Sequence, residues 1–102
     1  MSDIRQTRKA LIKRILEGDG RASQDDRRAA FDNTGLAQPL SSLIDKVARQ
    51  AHKITDADVS AARASGLSED QVFEIVVCGA IGQAARQYEG ALATLEAATE
   101  ER

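Results

Sequence analysis

The chain has 102 residues, of which 42% are hydrophobic and 29% charged; these are globular proportions that exclude a disordered chain. A chain this short has room for one hydrophobic core, so we expect a single domain over residues 1–102. Aromatic residues make up only 3%, and Trp is absent. The core is therefore expected to be thin and aliphatic, and a homo-oligomer that buries a helix face is expected to add stability.

The formal net charge of −2 argues against general nucleic-acid binding, but the charges are unevenly placed. Cations concentrate in the first predicted helix and anions at the C-terminus: Arg5, Arg8, Lys9, Lys13 and Arg14 against Glu96, Glu100 and Glu101. A basic helix can bind phosphate or RNA, although such a pattern more often marks a solvated face. Signal-peptide and membrane-span patterns are both absent from the sequence, so the cytoplasm is the expected compartment.

The first two helices are predicted from apolar spacing and from turn residues. Apolar residues from Ile4 to Leu16 recur with a helical period, and Gly18-Asp19-Gly20 is expected to end that helix. Ser23 followed by Asp26 is typical of a capping box, which predicts a second helix to about Phe31. This helix is short and polar, so we expect it to lie at the periphery.

The remaining helices are predicted from Pro39 onward. Pro39 stands where a third, amphipathic helix begins, and a capping box at Thr55 predicts a short helix that ends near Gly66. A further box at Ser68 precedes a run from Val72 to Ile81 that is apolar on nearly every side, which predicts burial between other helices. The expected fold is all-α: a compact domain of about five helices with a long buried C-terminal helix.

Glu74 and Cys78 are the first candidates for chemistry. They are four residues apart, so on a helix they share one face. A buried carboxylate tends towards a raised pKa and could act as a general base beside the thiol. The alternative is structural: Cys78 as a small buried hydrophobe and Glu74 paired with a cation from another helix. The pattern Glu-x-x-x-Cys alone does not decide between them.

His52 and Arg86 complete the candidate set. His52 is the only histidine and lies near the end of the third predicted helix, where the helix dipole favours a cation. Arg86 lies two turns beyond Cys78 on the same side and is a candidate ligand-binding residue. Cys78 is the only cysteine, so a disulfide and a CxxC pair are excluded. One His, one Cys and scattered carboxylates show no metal-ligand spacing, and we expect neither a metal nor another cofactor.

The segment from Ala62 to Ile75 reads ARASGLSEDQVFEI. It resembles the A-R-x-x-G-L-[ST]-x-x-x-[IV]-x-E segment of the carboxymuconolactone decarboxylase and alkylhydroperoxidase D-like superfamily. The likeness extends from about Leu40 to Leu95 and leaves the first 35 or so residues unmatched. It implies a helical fold with a central buried helix, and assembly into dimers, trimers or hexamers.

The resemblance also implies where a redox site would stand. The family's C-x-x-C pair and the histidine after it correspond to the stretch between Ala51 and Asp58, which here reads AHKITDAD and lacks both cysteines. His52 lies nearby without filling the histidine position. With a single thiol there is no resolving partner, so the family's peroxidase mechanism does not carry over.

Three functions from different classes follow, of which nucleic-acid or phosphate binding by the basic first helix is the least favoured; the other two are these. The first is a non-redox oligomeric scaffold or binding protein with an unidentified protein or small-molecule partner. The second is a residual enzyme, with single-thiol peroxide-related or decarboxylase-like acid/base chemistry, using Glu74 with Cys78 or His52. The missing redox pair favours the first.

Overall fold

The computed structural model describes residues 2–100, which form five α-helices and one 3₁₀ turn. The elements are α1 (Ser2–Glu17), α2 (Gln24–Asp32), α3 (Leu40–Arg49), a 3₁₀ turn (Ala51–Lys53), α4 (Asp56–Ala64) and α5 (Glu69–Glu100). The predicted all-α fold with a long C-terminal helix is confirmed. The predicted C-terminal anion Glu101 lies outside the described residues.

The helices begin and end at the predicted signals. The N–H of Asp26 donates to Ser23 Oγ at the start of α2, and Thr55 and Asp58 form a complete capping box on α4. The boxed pair at the start of α5 is also reciprocal, with Ser68 N–H to Gln71 Oε1 at 2.8 Å and Gln71 N–H to Ser68 Oγ at 3.1 Å. These bonds satisfy backbone donors that a helix N-terminus leaves without partners.

Helix α5 is the element on which the other helices pack. Helix α1 runs antiparallel to it, because Ile15 lies beside Cys78 while Arg8 reaches Glu89. Helix α2 runs parallel to α5, and α3 packs on it through Ile44, which contacts Gly79. Ile44 belongs to a buried cluster with Leu16 and Ile75, and a second cluster joins Leu43 on α3 and Ala62 on α4 to Val72 of α5. The core is therefore aliphatic, as expected.

The prediction that α2 lies at the periphery was wrong. Ala30 is fully buried, and a side chain at Gly82 would overlap the backbone carbonyl of Phe31, so α2 and α5 approach to backbone contact. This contact depends on the absence of a Cβ at Gly82 more than on large apolar side chains in α2. The polar composition of α2 therefore gave no indication that the helix packs closely on α5.

The prediction that the apolar run from Val72 to Ile81 is buried between other helices was also wrong in part. One face is buried, and we call it the front face: Val72, Ile75, Cys78, Gly79 and Gly82. On the opposite side Phe73 is 68% exposed, and Val77 is half-buried. The apolar run is therefore covered by this chain on one side only.

The described residues extend 54 × 29 × 20 Å. The long dimension follows from the 32 residues of α5, which at 1.5 Å per residue reach about 48 Å. Beyond Arg86 this helix runs past the ends of α2 and α3, and ion pairs from α1 accompany it. None of the helices within residues 2–100 combines the length and apolar character needed to cross a membrane.

Candidate functional site

The carboxylate of Glu74 binds the backbone of the loop between α1 and α2. The N–H of Arg21 donates to both carboxylate oxygens, at 2.9 and 2.8 Å, and the N–H of Ala22 donates to Oε2 at 2.6 Å. Gly20 makes room for this approach, since a Cβ there would lie 2.7 Å from Glu74 Oε1. The neighbouring Gln71 donates its side-chain amide to the Arg21 carbonyl at 3.1 Å. The first turns of α5 thus bind this loop through two backbone N–H groups and through the Arg21 carbonyl.

Arg27 fixes the other side of the same loop. The residue is 94% buried, and its Nη1 donates to the carbonyls of Ile15, at 3.2 Å, and Gly18, at 2.8 Å. These carbonyls lie at the C-terminal end of α1, which carries the negative end of the helix dipole. A buried guanidinium at this position supplies donors to groups that have no intrahelical partner.

The Glu74 pKa is lowered below its usual value, in contrast to the raised pKa expected for a buried carboxyl. The largest cause is the hydrogen bond from the Arg21 backbone; burial opposes it, and the Ala22 backbone and the charge of Arg27 add to the lowering. A carboxylate that accepts backbone N–H bonds is stabilised in its ionised form. Glu74 is thus suited to binding the loop between α1 and α2 as a carboxylate, and poorly suited to taking up a proton.

Cys78 lies one turn further along α5 and is 99% buried. Its Sγ lies 3.9 Å from the carbonyl of Ile15. Burial raises the pKa of the Cys78 thiol; the charge of Arg27 lowers it, and that of Glu74 raises it further. Since the thiolate is the reactive form, the surroundings disfavour a reactive cysteine.

Glu74, Cys78 and Arg27 nevertheless line one small hollow. It has a volume of about 180 Å³, is open to solvent, and is also lined by Ile15 and Phe73. The structure therefore brings together two of the four sequence-predicted candidates, and it adds a guanidinium that the sequence analysis did not select. Arg27 could have been noticed only as a cation within an otherwise small and polar helix, which is a weak signal.

The other two candidates lie elsewhere. Arg86 donates from Nη1 to the Phe31 carbonyl at 2.6 Å and from Nη2 to Gln83 Oε1 at 3.1 Å, so it caps the C-terminal end of α2. His52 lies on the exposed 3₁₀ turn between α3 and α4. The hollow is built from α1, α2 and α5, and His52 belongs to none of them.

The basic face of α1 is partly neutralised by α5. Arg8 pairs with Glu89 at 2.6 Å and lies 4.8 Å from the centre of the Tyr88 ring, and Arg5 pairs with Glu96 at 3.8 Å. Arg5, Arg8 and Glu96 belong to the basic and acidic sets that the sequence places at opposite ends of the chain, and Glu89 lies on α5 before the acidic set. The uneven charge distribution of the sequence thus provides ion pairs between α1 and α5.

Comparison with protein-family models, curated proteins and solved structures finds no match to this chain. The resemblance of residues 62–75 to the alkylhydroperoxidase D-like superfamily stays a prediction.

Proposed function

We propose that this chain is a non-redox, oligomeric scaffold or binding protein related to the carboxymuconolactone decarboxylase and alkylhydroperoxidase D-like superfamily. The observation that carries the proposal is the use made of Glu74. Its carboxylate accepts three bonds from the Arg21 and Ala22 backbone. A general base must be free to reach a substrate proton, whereas the Glu74 carboxylate is hydrogen-bonded to the loop between α1 and α2.

The environment of Cys78 supports the same proposal. The thiol is buried and its pKa is raised, both of which lower the thiolate fraction on which peroxide chemistry depends. Arg86, the candidate ligand-binding residue, is engaged with the Phe31 carbonyl. Three of the four candidate residues therefore act between helices, as parts of a framework.

An oligomeric framework is also supported by the exposed apolar residues. Ile4, Leu11, Phe73, Tyr88 and Leu95 are between 44% and 68% exposed in a chain whose core is small. Apolar area of this kind, on a thin-cored domain, is commonly buried between subunits.

Thiol labelling tests the non-redox part of the proposal. We expect a maleimide reagent to leave Cys78 unmodified in the folded protein and to modify it fully in denaturant. We also expect no consumption of hydrogen peroxide above that of a Cys78→Ser control. Labelling of the folded protein at the rate of a free thiol, with peroxide consumption that Cys78→Ser abolishes, would contradict the proposal.

A residual enzyme is the second candidate, because Glu74 and Cys78 line the same hollow beside Arg27. Acid/base chemistry there would require the Glu74 carboxylate to leave Arg21 and Ala22. Hydrogen exchange at these two amides distinguishes the cases. Protected amides support the framework role, whereas amides that exchange at the rate of an open loop indicate a carboxylate free for chemistry.

A further inference from the structure

The side of α5 opposite the front face carries a second apolar stripe, which we call the back face. Its seven members recur at intervals of three or four residues, so they lie along one side of the helix. They are Phe73, Val77, Ala80, Ala84, Tyr88, Ala91 and Leu95. Val77 is half-buried, and the other six are exposed. The stripe carries no charge over its whole length.

The spacing of the stripe is symmetric about Ala84. From Ala84 the members lie four, seven and eleven positions away in both directions along the chain. If a second copy of α5 lies antiparallel against the first with Ala84 at the centre, each member meets another member of the stripe. Large residues then meet small ones next to the centre: Tyr88 faces Ala80 of the second copy, and Val77 faces its Ala91.

Small residues at the centre allow the two helices to approach closely. Ala84 would face itself across a two-fold axis, as isologous pairing requires. At the two ends of the stripe, Phe73 of one copy faces Leu95 of the other. This alternation of large and small residues is the arrangement by which facing helices interdigitate.

Helix α1 extends the same face. Leu11 lines a groove with Ala84 and Tyr88, so it lies at the level of the symmetry centre. Leu11 is 54% exposed and Ile4, two turns earlier, is 57% exposed. In an antiparallel pair of α5 helices, α1 from each copy lies on the same side of the α5 pair, and the four helices form a bundle.

The available area matches what a dimer needs. The stripe is about 33 Å long at 1.5 Å per residue, and the α1–α5 layer is about 20 Å wide. Each copy then contributes about 600 Å², and the two together reach about 1,200 Å², the lower end of the range for specific interfaces.

We infer that a second copy of this chain packs on the back face of α5, antiparallel and with its two-fold axis at Ala84, and forms a four-helix dimer with both α1 helices. The inference rests on the proposed oligomeric framework and specifies its interface. It also accounts for the all-round apolar run in α5: the chain covers the front face itself, and the second copy covers the back face.

Light scattering on the full chain and on matched variants tests the inference. We expect the wild type to have the mass of two chains. Ala84→Glu places two carboxylates together at the axis, and we expect it to convert the protein to a monomer with the helix content kept. Ala93→Glu makes the same change at an exposed position of α5 outside the stripe, and we expect it to stay dimeric.

Disulfide trapping tests the direction of the pairing. An equal mixture of Phe73→Cys and Leu95→Cys chains, mildly oxidised, is expected to form the mixed disulfide in preference to either self-linked product. Cys78 is buried and does not compete. A self-linked Phe73→Cys dimer would indicate parallel pairing and overturn the inference. An assembly that Ala84→Glu leaves intact overturns only this interface, whereas a monomeric wild type contradicts the proposed oligomeric function as well.

Discussion

The front and back faces of α5 are both apolar, but the other helices of the chain bury only the front face. The front face has Ile75 fully buried and Gly82 in contact with the backbone of α2, whereas Phe73 on the back face is 68% exposed. Hydrophobicity along α5 therefore does not show which residues this chain itself buries: both faces are apolar, and the packing of the chain covers only the front face. The front face thus holds the helices of one chain together, whereas the back face remains exposed.

Substitution of one large apolar residue on each face should give the largest contrast. Ile75→Ala removes a fully buried side chain, and we expect it to lower the free energy of unfolding by about 3 kcal/mol. Phe73→Ala removes a side chain that is mainly in water, and we expect a loss below about 1 kcal/mol when the protein is monomeric. Urea unfolding in the Ala84→Glu background measures both. Similar losses for the two variants would show that the faces do not differ in the monomer.

The two front-face glycines should differ because their neighbours differ. A Cβ at Gly82 meets the Phe31 backbone, so Gly82→Ala must separate α2 from α5, and we expect a loss of about 2 kcal/mol. A Cβ at Gly79 lies 3.1 Å from Ile44 Cγ2, a side-chain atom that can shift, and the better helix propensity of Ala offsets part of the strain. Thermal unfolding should therefore rank Gly82→Ala well below Gly79→Ala. The reverse order would place α2 further from α5 than the structure does.

The Glu74 carboxylate should contribute a similar amount, but one that depends on pH. Glu74→Gln keeps the size of the side chain but turns an acceptor into a donor beside two N–H groups, and we expect a loss of about 2 kcal/mol near neutral pH. Because the folded-state pKa of Glu74 is lowered, its contribution is fully present above the pKa of the unfolded carboxyl, about 4.3. It is lost as the pH falls through the folded-state value.

Urea unfolding of wild type and Glu74→Gln at a series of pH values measures this difference. The two unfolding free energies should converge under acid conditions. Glu100→Gln, at the exposed end of the same helix, serves as the control and should change stability by less than about 0.5 kcal/mol at neutral pH. A Glu74→Gln deficit that is the same at every pH would show that the ionised carboxylate is not what holds the loop.

The fold could be predicted from the sequence because local signals carried it. The capping pairs at Ser23, Thr55 and Ser68 mark helix starts through bonds within four residues, and such bonds need no tertiary information. The position of α2 could not be predicted in the same way. It depends on the missing Cβ of Gly82, which lies 51 positions from Phe31 in the sequence. A glycine in a helix indicates that another segment approaches closely, but it does not indicate which segment.

The candidate site was predicted less completely, for a related reason. Sequence spacing placed Glu74 and Cys78 on one face, which the structure agrees with, since both line one hollow. It could not show that the Glu74 carboxylate meets backbone N–H groups, because those donors are identical in every residue except proline. Arg27 was missed altogether, since its partners are the carbonyls of Ile15 and Gly18. A side chain whose partners are main-chain atoms cannot be paired with them from the sequence, because every residue has such atoms.

The C-terminal half of α5 gives the smallest expected effect and extends the comparison along the helix. A Cβ at Gly90 meets no atom within 4 Å, so Gly90→Ala adds no strain and removes backbone freedom from the unfolded chain. We expect thermal unfolding to show a gain of about 0.7 kcal/mol, with the mass unchanged because Gly90 lies outside the back-face stripe. If the substitution instead destabilised the protein or altered its mass, a surface at Gly90 would be covered in the assembly, and the back face would not be the only part of α5 that a second copy contacts.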